Sequence, residues 1–234
     1  MLIKLQQRFI SRALAVAVAA GLASTSVAGQ HANRAPASPA PNNLMPIAAA
    51  RTLPPGTVVT VEGAVSVAPG RFSSTTNDDG FAIQDESGGI YVSIVASPGL
   101  RGNRRVRVSG QLAENFGQLI LVPARASDVK VLGTRGIIRP KRISTGQVNE
   151  ASEGKIVQVA GTITKPVEND LPYGYRVFIN DGSGEIQAFV HRTTGIRVSS
   201  LRPGQRISVT GFSGQYEDHY EVMPRTLSDI RINN

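Results

Sequence analysis

The chain has 234 residues, room for one or two domains. It holds no cysteine, which excludes a disulfide scaffold, thiol catalysis and cysteine-based metal sites. Lys and Arg outnumber Asp and Glu by 25 to 17, but Lys4, Arg8 and Arg12 fall in an acid-free first 28 residues, so the remainder is only mildly basic and a polyanion partner is less strongly implied than the formal charge of +8 suggests.

In chain order, the three cations precede an apolar run from Ala13 to Ala23, and Ser26-Val27-Ala28 puts small residues at the −3 and −1 positions. This predicts a secretory signal peptide over 1–28, with export to the periplasm or the medium. The run would span about 16 Å as a helix, too short for a bilayer core of about 30 Å. No later segment is long and apolar enough to span. Residues 29–50, rich in Ala, Pro and Asn, lack apolar periodicity and read as a disordered tether.

From residue 51 the pattern is β throughout. Thr57 to Val65 alternates and is β-branched, as a strand should be. A long polar loop, Ala68 to Gly80, leads to Phe81-Ala82-Ile83-Gln84, a polar Asp85-Glu86-Ser87-Gly88 corner and Gly89-Ile90-Tyr91-Val92, which together read as a hairpin. Arg105 to Gly110 and Gln118 to Val122 supply a fourth and a fifth strand, the last ended by Pro123.

The series then repeats. Gly154 to Gly161 matches Gly56 to Gly63, Asp181 matches Asp85, Arg206 to Gly211 matches Arg105 to Gly110, and Pro224 to Ile230 matches Pro123 to Val129. The offsets are 98, 96, 101 and 101, with the changes falling in loops. The chain therefore divides into domains over 51–134 and 150–234, joined by a basic linker over 135–149. In the second copy a longer stretch, Thr193 to Gln205, reads as a turn or short helix across the barrel bottom. The fold expected is all-β: two tandem five-stranded Greek-key barrels of the oligonucleotide/oligosaccharide-binding (OB) type.

The pattern Gly-x-x-Val-x-Val-x-Gly, Ile-x-Asp-x-Ser-Gly-x-Ile and Val-x-Val-Ser/Thr-Gly resembles OB domains of the tRNA-anticodon-binding and helicase-associated type, such as secreted bacterial proteins carry. The resemblance covers both halves and implies nucleic-acid binding.

With Ile83, Val92, Ile179 and Ala188 inward, alternation places Ala82, Gln84, Tyr91 and Ser93 outside in the first copy, and Phe178, Asn180, Gln187, Phe189 and His191 outside in the second. Barrels that bind single strands stack bases on such faces. Arg176 and Arg192 flank this patch, and Arg107 lies outward on the fourth strand. The loop tips add Arg71, Phe72 and Phe116 in the first copy and Tyr173, Tyr175 and Tyr216 in the second. These residues are the candidate nucleic-acid site. The same outward rings could instead pack on the neighbouring barrel, and a one-residue phase error would send them to the core. Asp85 and Asp181 are expected to bond local amides at their corners.

No catalytic motif is found: His31, His191 and His219 are isolated, no Gly-x-Ser-x-Gly elbow occurs, and the glycines do not follow Walker spacing. The expected function is an exported binding protein without cofactor or metal, holding single-stranded or unstructured nucleic acid. The alternative is an envelope or extracellular module for a protein or glycan partner.

Overall fold

The structure, a computed structural model, describes residues 44–72 and 78–233. The predicted signal peptide, and the tether as far as residue 43, lie outside these.

Residues 44–50, expected in the tether, instead open the first barrel. β1 (Leu44–Met45) pairs in parallel with β2 (Val58–Val67), and α1 (Ile47–Ala50) buries Ile47 and Ala50 in the first core. The hairpin corner holds this lead-in from the other side. Asp85 accepts from the Ile47 amide at 2.9 Å, and the Ser87 hydroxyl accepts from the Ala48 amide at 3.0 Å. Asp85 also accepts from the amides of Ser87 and Gly88, so one carboxylate closes its own turn and clasps the incoming chain.

The barrel continues through β3 (Phe81–Gln84), β4 (Gly89–Val92), β5 (Arg104–Asn115) and β6 (Gln118–Val122). β2 is antiparallel to β3 and to β5, β5 is antiparallel to β6, and β6 runs parallel to β4. The ring β2-β3-β4-β6-β5 is thus closed, which is OB-fold connectivity. Val61, Ile83, Val92, Val108, Leu112 and Leu121 fill it, in the inward phase that alternation predicts. β7 (Val129–Arg135), a trailing strand that the five-strand reading lacks, pairs with the outer edge of β5.

The second barrel has the same plan. The expected linker is largely structure: β8 (Lys141–Arg142) pairs in parallel with β9 (Ile156–Ile163), and a 3-10 turn at Thr145–Gln147 stands where α1 stands in the first copy. Asp181 accepts from the Thr145 amide and hydroxyl at 3.1 and 2.7 Å, and Ser183 accepts from the Gly146 amide at 2.9 Å. Hydrogen bonds from Ser183 and Thr145 hold the Asp181 carboxyl well below the usual carboxylate range. β10 (Glu168–Asp170), β11 (Gly174–Asn180), β12 (Glu185–His191), β13 (Arg206–Tyr216) and β14 (His219–Met223) complete this barrel, with β15 (Ile230–Ile232) trailing on β13 as β7 trails on β5. The stretch after β12 turns once in a 3-10 helix at Arg192–Thr194 and then buries Ile196, Val198 and Leu201 in the second core.

The barrels pack on each other. Val67 and Ala82 of the first meet Ile156, Phe189, Phe212 and Met223 of the second, with Phe72, Tyr91 and Ile138 against the cluster. Gly89 and Gly154 are backbone to backbone: a Cβ on either would overlap the other's carbonyl. Gln84 accepts from the Ile156 amide at 2.8 Å. Arg51 reaches across to Glu150 and Glu153, each at 2.9 Å. Glu153 is buried, and one of its oxygens also accepts from the Leu119 amide at 3.2 Å. Burial raises its carboxyl above the ordinary value, while Arg51 pulls it back. Among the described residues no helix is long and apolar enough to cross a membrane.

Candidate functional site

The outer face of the second and third strands, framed by the first and last loops, is where an OB barrel usually meets its ligand. In the first barrel this face is occupied by the second barrel. Tyr91 lies in the joint, edge-on to Phe212 at 6.5 Å, and donates to Asp78 at 3.1 Å. Burial and the neighbouring Asp78 push its phenol far above the usual tyrosine value. Phe72 stacks on His191 at 4.7 Å, and Phe189 meets the same imidazole edge-on at 4.8 Å. Phe189 and His191 are only 8% and 7% exposed, and burial alone lowers His191 to about 3, so it is neutral near pH 7.

This corrects the expected site. Phe189 and His191 are buried in the joint, and Phe72 and Tyr91 are half-buried against it. Alternation placed the strand residues outside their own barrels correctly, but the outside of one barrel is the inside of the pair. Tyr175 is corrected too: it sits inward on β11 and packs on the second core. Arg71 and Arg192 are exposed at the rim of the joint, where the Thr193 hydroxyl donates to the Arg71 carbonyl at 2.7 Å.

The second barrel keeps part of its face open. There Arg176 is ion-paired with Asp170 at 3.0 Å, and Lys165 lies over the Phe178 ring, 3.5 Å from its centroid. Beside them Gln187 donates to Glu221 at 2.7 Å. Glu221 is 7% exposed. Burial raises it to about 7, against the pull of Gln187 and Arg176 and with the push of Asp170.

At the end of this face the last hairpins of the two barrels meet. The Glu217 amide donates to the Phe116 carbonyl at 2.7 Å. Phe116 stacks on Tyr216 with ring centroids 5.2 Å apart and planes 24° from parallel, and Tyr216 is tilted against His219 at 5.9 Å. Phe116, Tyr173 and Tyr216 are 46%, 52% and 37% exposed. Phe116 has φ +50° and Glu217, the equivalent turn position 101 residues on, has φ +54°. A bulky residue in the left-handed region is uncommon and costs on the order of 1–2 kcal/mol.

A second surface lies on the wall built from the first, fourth and trailing strands; alternation puts Arg105, Arg107 and Arg206 outward on the fourth strands, although only Arg107 is among the expected site residues. Arg107 and Arg105 reach Glu62 on β2 at 2.6 and 3.6 Å. Lys130 is opposite Arg107 in the β5–β7 ladder, whereas Arg104 and Arg135, opposite each other, fall on the other face with Val106 and Val131. In the second barrel Arg231 is opposite Ser208 on β13, with Arg206 beginning that strand. Arg105 and Lys130 recur as Arg206 and Arg231 at the same step of 101 residues. The signal was present in the aligned repeats, but without the trailing strands nothing placed Lys130 and Arg231 beside the fourth-strand cations.

Among the described residues no group of three or more His, Asp or Glu is arranged to hold a metal ion. No protein-family model matches the chain. No curated protein matches it either. Solved structures do. One is an OBody bound to hen egg-white lysozyme, 18% identical over 42% of this chain and 99% of that one, with a TM-score of 0.34. Another OBody bound to the same lysozyme is 19% identical over 41% and 98%, with a TM-score of 0.33. The S. pombe Stn1–Ten1 complex contributes a chain 15% identical over 34% of this chain and 58% of that one, with a TM-score of 0.29.

Proposed function

We propose that the chain is an exported, non-enzymatic binding protein that holds single-stranded nucleic acid by its phosphate backbone, along the basic walls of the two OB barrels. The observation that carries this reading is the repeated cation pair, Arg105 with Lys130 and Arg206 with Arg231. In the first barrel Arg107 joins it, with Glu62 as the paired carboxylate. Alternate residues on a strand stand about 6.7 Å apart on one face, a spacing suited to successive phosphates of an extended strand. A flexible strand follows a curved wall more readily than a duplex does. Base stacking on the first barrel's face, part of the sequence expectation, is not part of the proposal because that face is covered.

The test is fluorescence anisotropy of the protein with labelled poly-dT, duplex DNA and RNA at low and moderate salt. Log affinity is expected to fall linearly with log salt, by about 0.7 for each phosphate neutralised on a single strand. Arg105→Ala with Arg206→Ala should lower that slope by about 1.4. Absence of binding to all three nucleic acids at micromolar protein and low salt ends this reading. The exposed aromatic cluster favours a second reading, a partner of another class, at the hairpin tips.

A further inference from the structure

The outer face of the second barrel ends in a feature that phosphate binding does not use. Phe116 comes from the first barrel and Tyr216 from the second, so the shelf they form exists only because the two hairpins are joined. Burial raises the Tyr216 phenol above the ordinary tyrosine value, and Glu217, Asp170, Tyr173 and Glu221 add to the rise. The charges round the rings are of one dominant sign. Glu217 and Asp218 are on the β13–β14 turn, Glu221 is two residues beyond it, and Asp170 ends β10. Of the cations nearby, Arg176 is committed to Asp170 and His219 lies 3.6 Å from Asp218.

A phosphate would be repelled here. A cation would not: aromatic faces attract ammonium and guanidinium groups, and a planar guanidinium both stacks on a ring and bonds a carboxylate. The shelf is an acidic, aromatic island on a chain whose formal charge is +8, so charge complementarity singles it out as the place for a basic ligand.

We propose that the shelf formed by Phe116 and Tyr216, with Glu217 and Asp218 beside it, is a docking site for an arginine-bearing polypeptide segment of another protein. A guanidinium lies across the Tyr216 and Phe116 rings and its charge is met by the carboxylates. Glu221 is buried and accepts from Gln187, so the exposed Glu217 and Asp218 of the β13–β14 turn supply the carboxylates.

The experiment uses the whole chain and a fluorescein-labelled hexapeptide of alternating glycine and arginine, with its citrulline counterpart, at pH 8 and low salt. Citrulline keeps the shape and removes the charge. The arginine peptide should bind at least tenfold more tightly than the citrulline peptide. Tyr216→Ala and, separately, Phe116→Gly should each weaken it about tenfold, and Glu217→Gln with Asp218→Asn about fivefold. Glycine at 116 relieves the positive φ, so that variant is expected to fold even if Tyr216→Ala does not; thermal melts monitor both. Equal binding of the two peptides, unchanged binding in Phe116→Gly, or tighter binding of a neutral oligosaccharide than of the arginine peptide would each overturn the proposal. Poly-dT binding should be unaffected by Phe116→Gly and reduced by Arg105→Ala with Arg206→Ala, so failure of this site and failure of the phosphate reading are told apart.

Discussion

The two barrels share a core, a corner clasp and a trailing strand, yet the same outer face has opposite fates in each. On the first, Ala82 is sealed and Tyr91 is half-buried against Phe212; on the second, Phe189, His191 and Glu221 are buried while Arg176, Phe178 and Gln187 stay partly open to solvent. What is common is what alternation and turn chemistry dictate. What differs lies in side chains pointing away from each core, where nothing in the barrel itself restricts them. A duplicated barrel can thus give up one face to build a joint and keep the other for a partner.

The greatest loss is expected at the joint's ion pair. Arg51→Ala leaves Glu153 buried without its cation and should cost about 3–5 kcal/mol at pH 8. Its loss also raises the Glu153 carboxyl further, so the folded variant holds a proton that the unfolded chain has released. Stability of the variant therefore falls as pH rises, and the deficit against wild type shrinks in mild acid. Urea denaturation at two pH values checks both, and a small, pH-independent deficit would mean that the joint does not depend on this pair.

Next come two phenylalanines that sequence reasoning grouped together. Phe189→Ala empties a site in the joint and should cost about 3 kcal/mol or more, whereas Phe178→Ala loses a partly exposed ring and one cation contact, less than about 1 kcal/mol. Equal melting-temperature losses would put both rings in one environment and contradict the division into a sealed and an open half.

A smaller effect separates the open half by its titration. Glu221 is raised from 4.5 to about 7, so the folded state binds more protons than the unfolded state between those values. Its contribution is complete below about pH 4.5 and is lost as pH rises through 7, amounting to up to about 3 kcal/mol. Glu221→Gln should therefore gain on wild type over that window in chemical denaturation. His191, whose lowered value acts in the opposite sense, is common to both proteins and cancels. A flat difference would show that Glu221 is solvated like a surface carboxylate.

Much of the fold was legible because it rests on local rules. Ile83, Val92, Ile179 and Ala188 alternate into the cores as expected, and the Asp-x-Ser-Gly corners are turns. The lead-in strands were not, because two buried side chains, Ile47 and Ala50, are too few to show periodicity in an Ala/Pro-rich stretch. Their counterparts Lys141 and Arg142 read as a basic linker because only backbone pairing places them. The candidate site was legible in residue type rather than in place. Phe116, Tyr173 and Tyr216 remain exposed as the loop-tip reading requires, but whether an outward ring meets a ligand or a neighbouring barrel depends on docking between segments about a hundred residues apart, which no local pattern encodes.

The connection between the barrels has one further consequence. Gly136 donates to the Asn103 carbonyl, Ile138 joins the joint cluster, and Lys141 is already a strand of the second barrel, so the crossing leaves no slack. The barrels are therefore held by the crossing as well as by the joint, unlike two beads on a string. Under the proposed phosphate reading, a strand settled on one cationic wall would spend no tether entropy in reaching the other. Oligomers too short to touch both walls would then gain nothing from the second, and those just long enough would gain its whole affinity at one step.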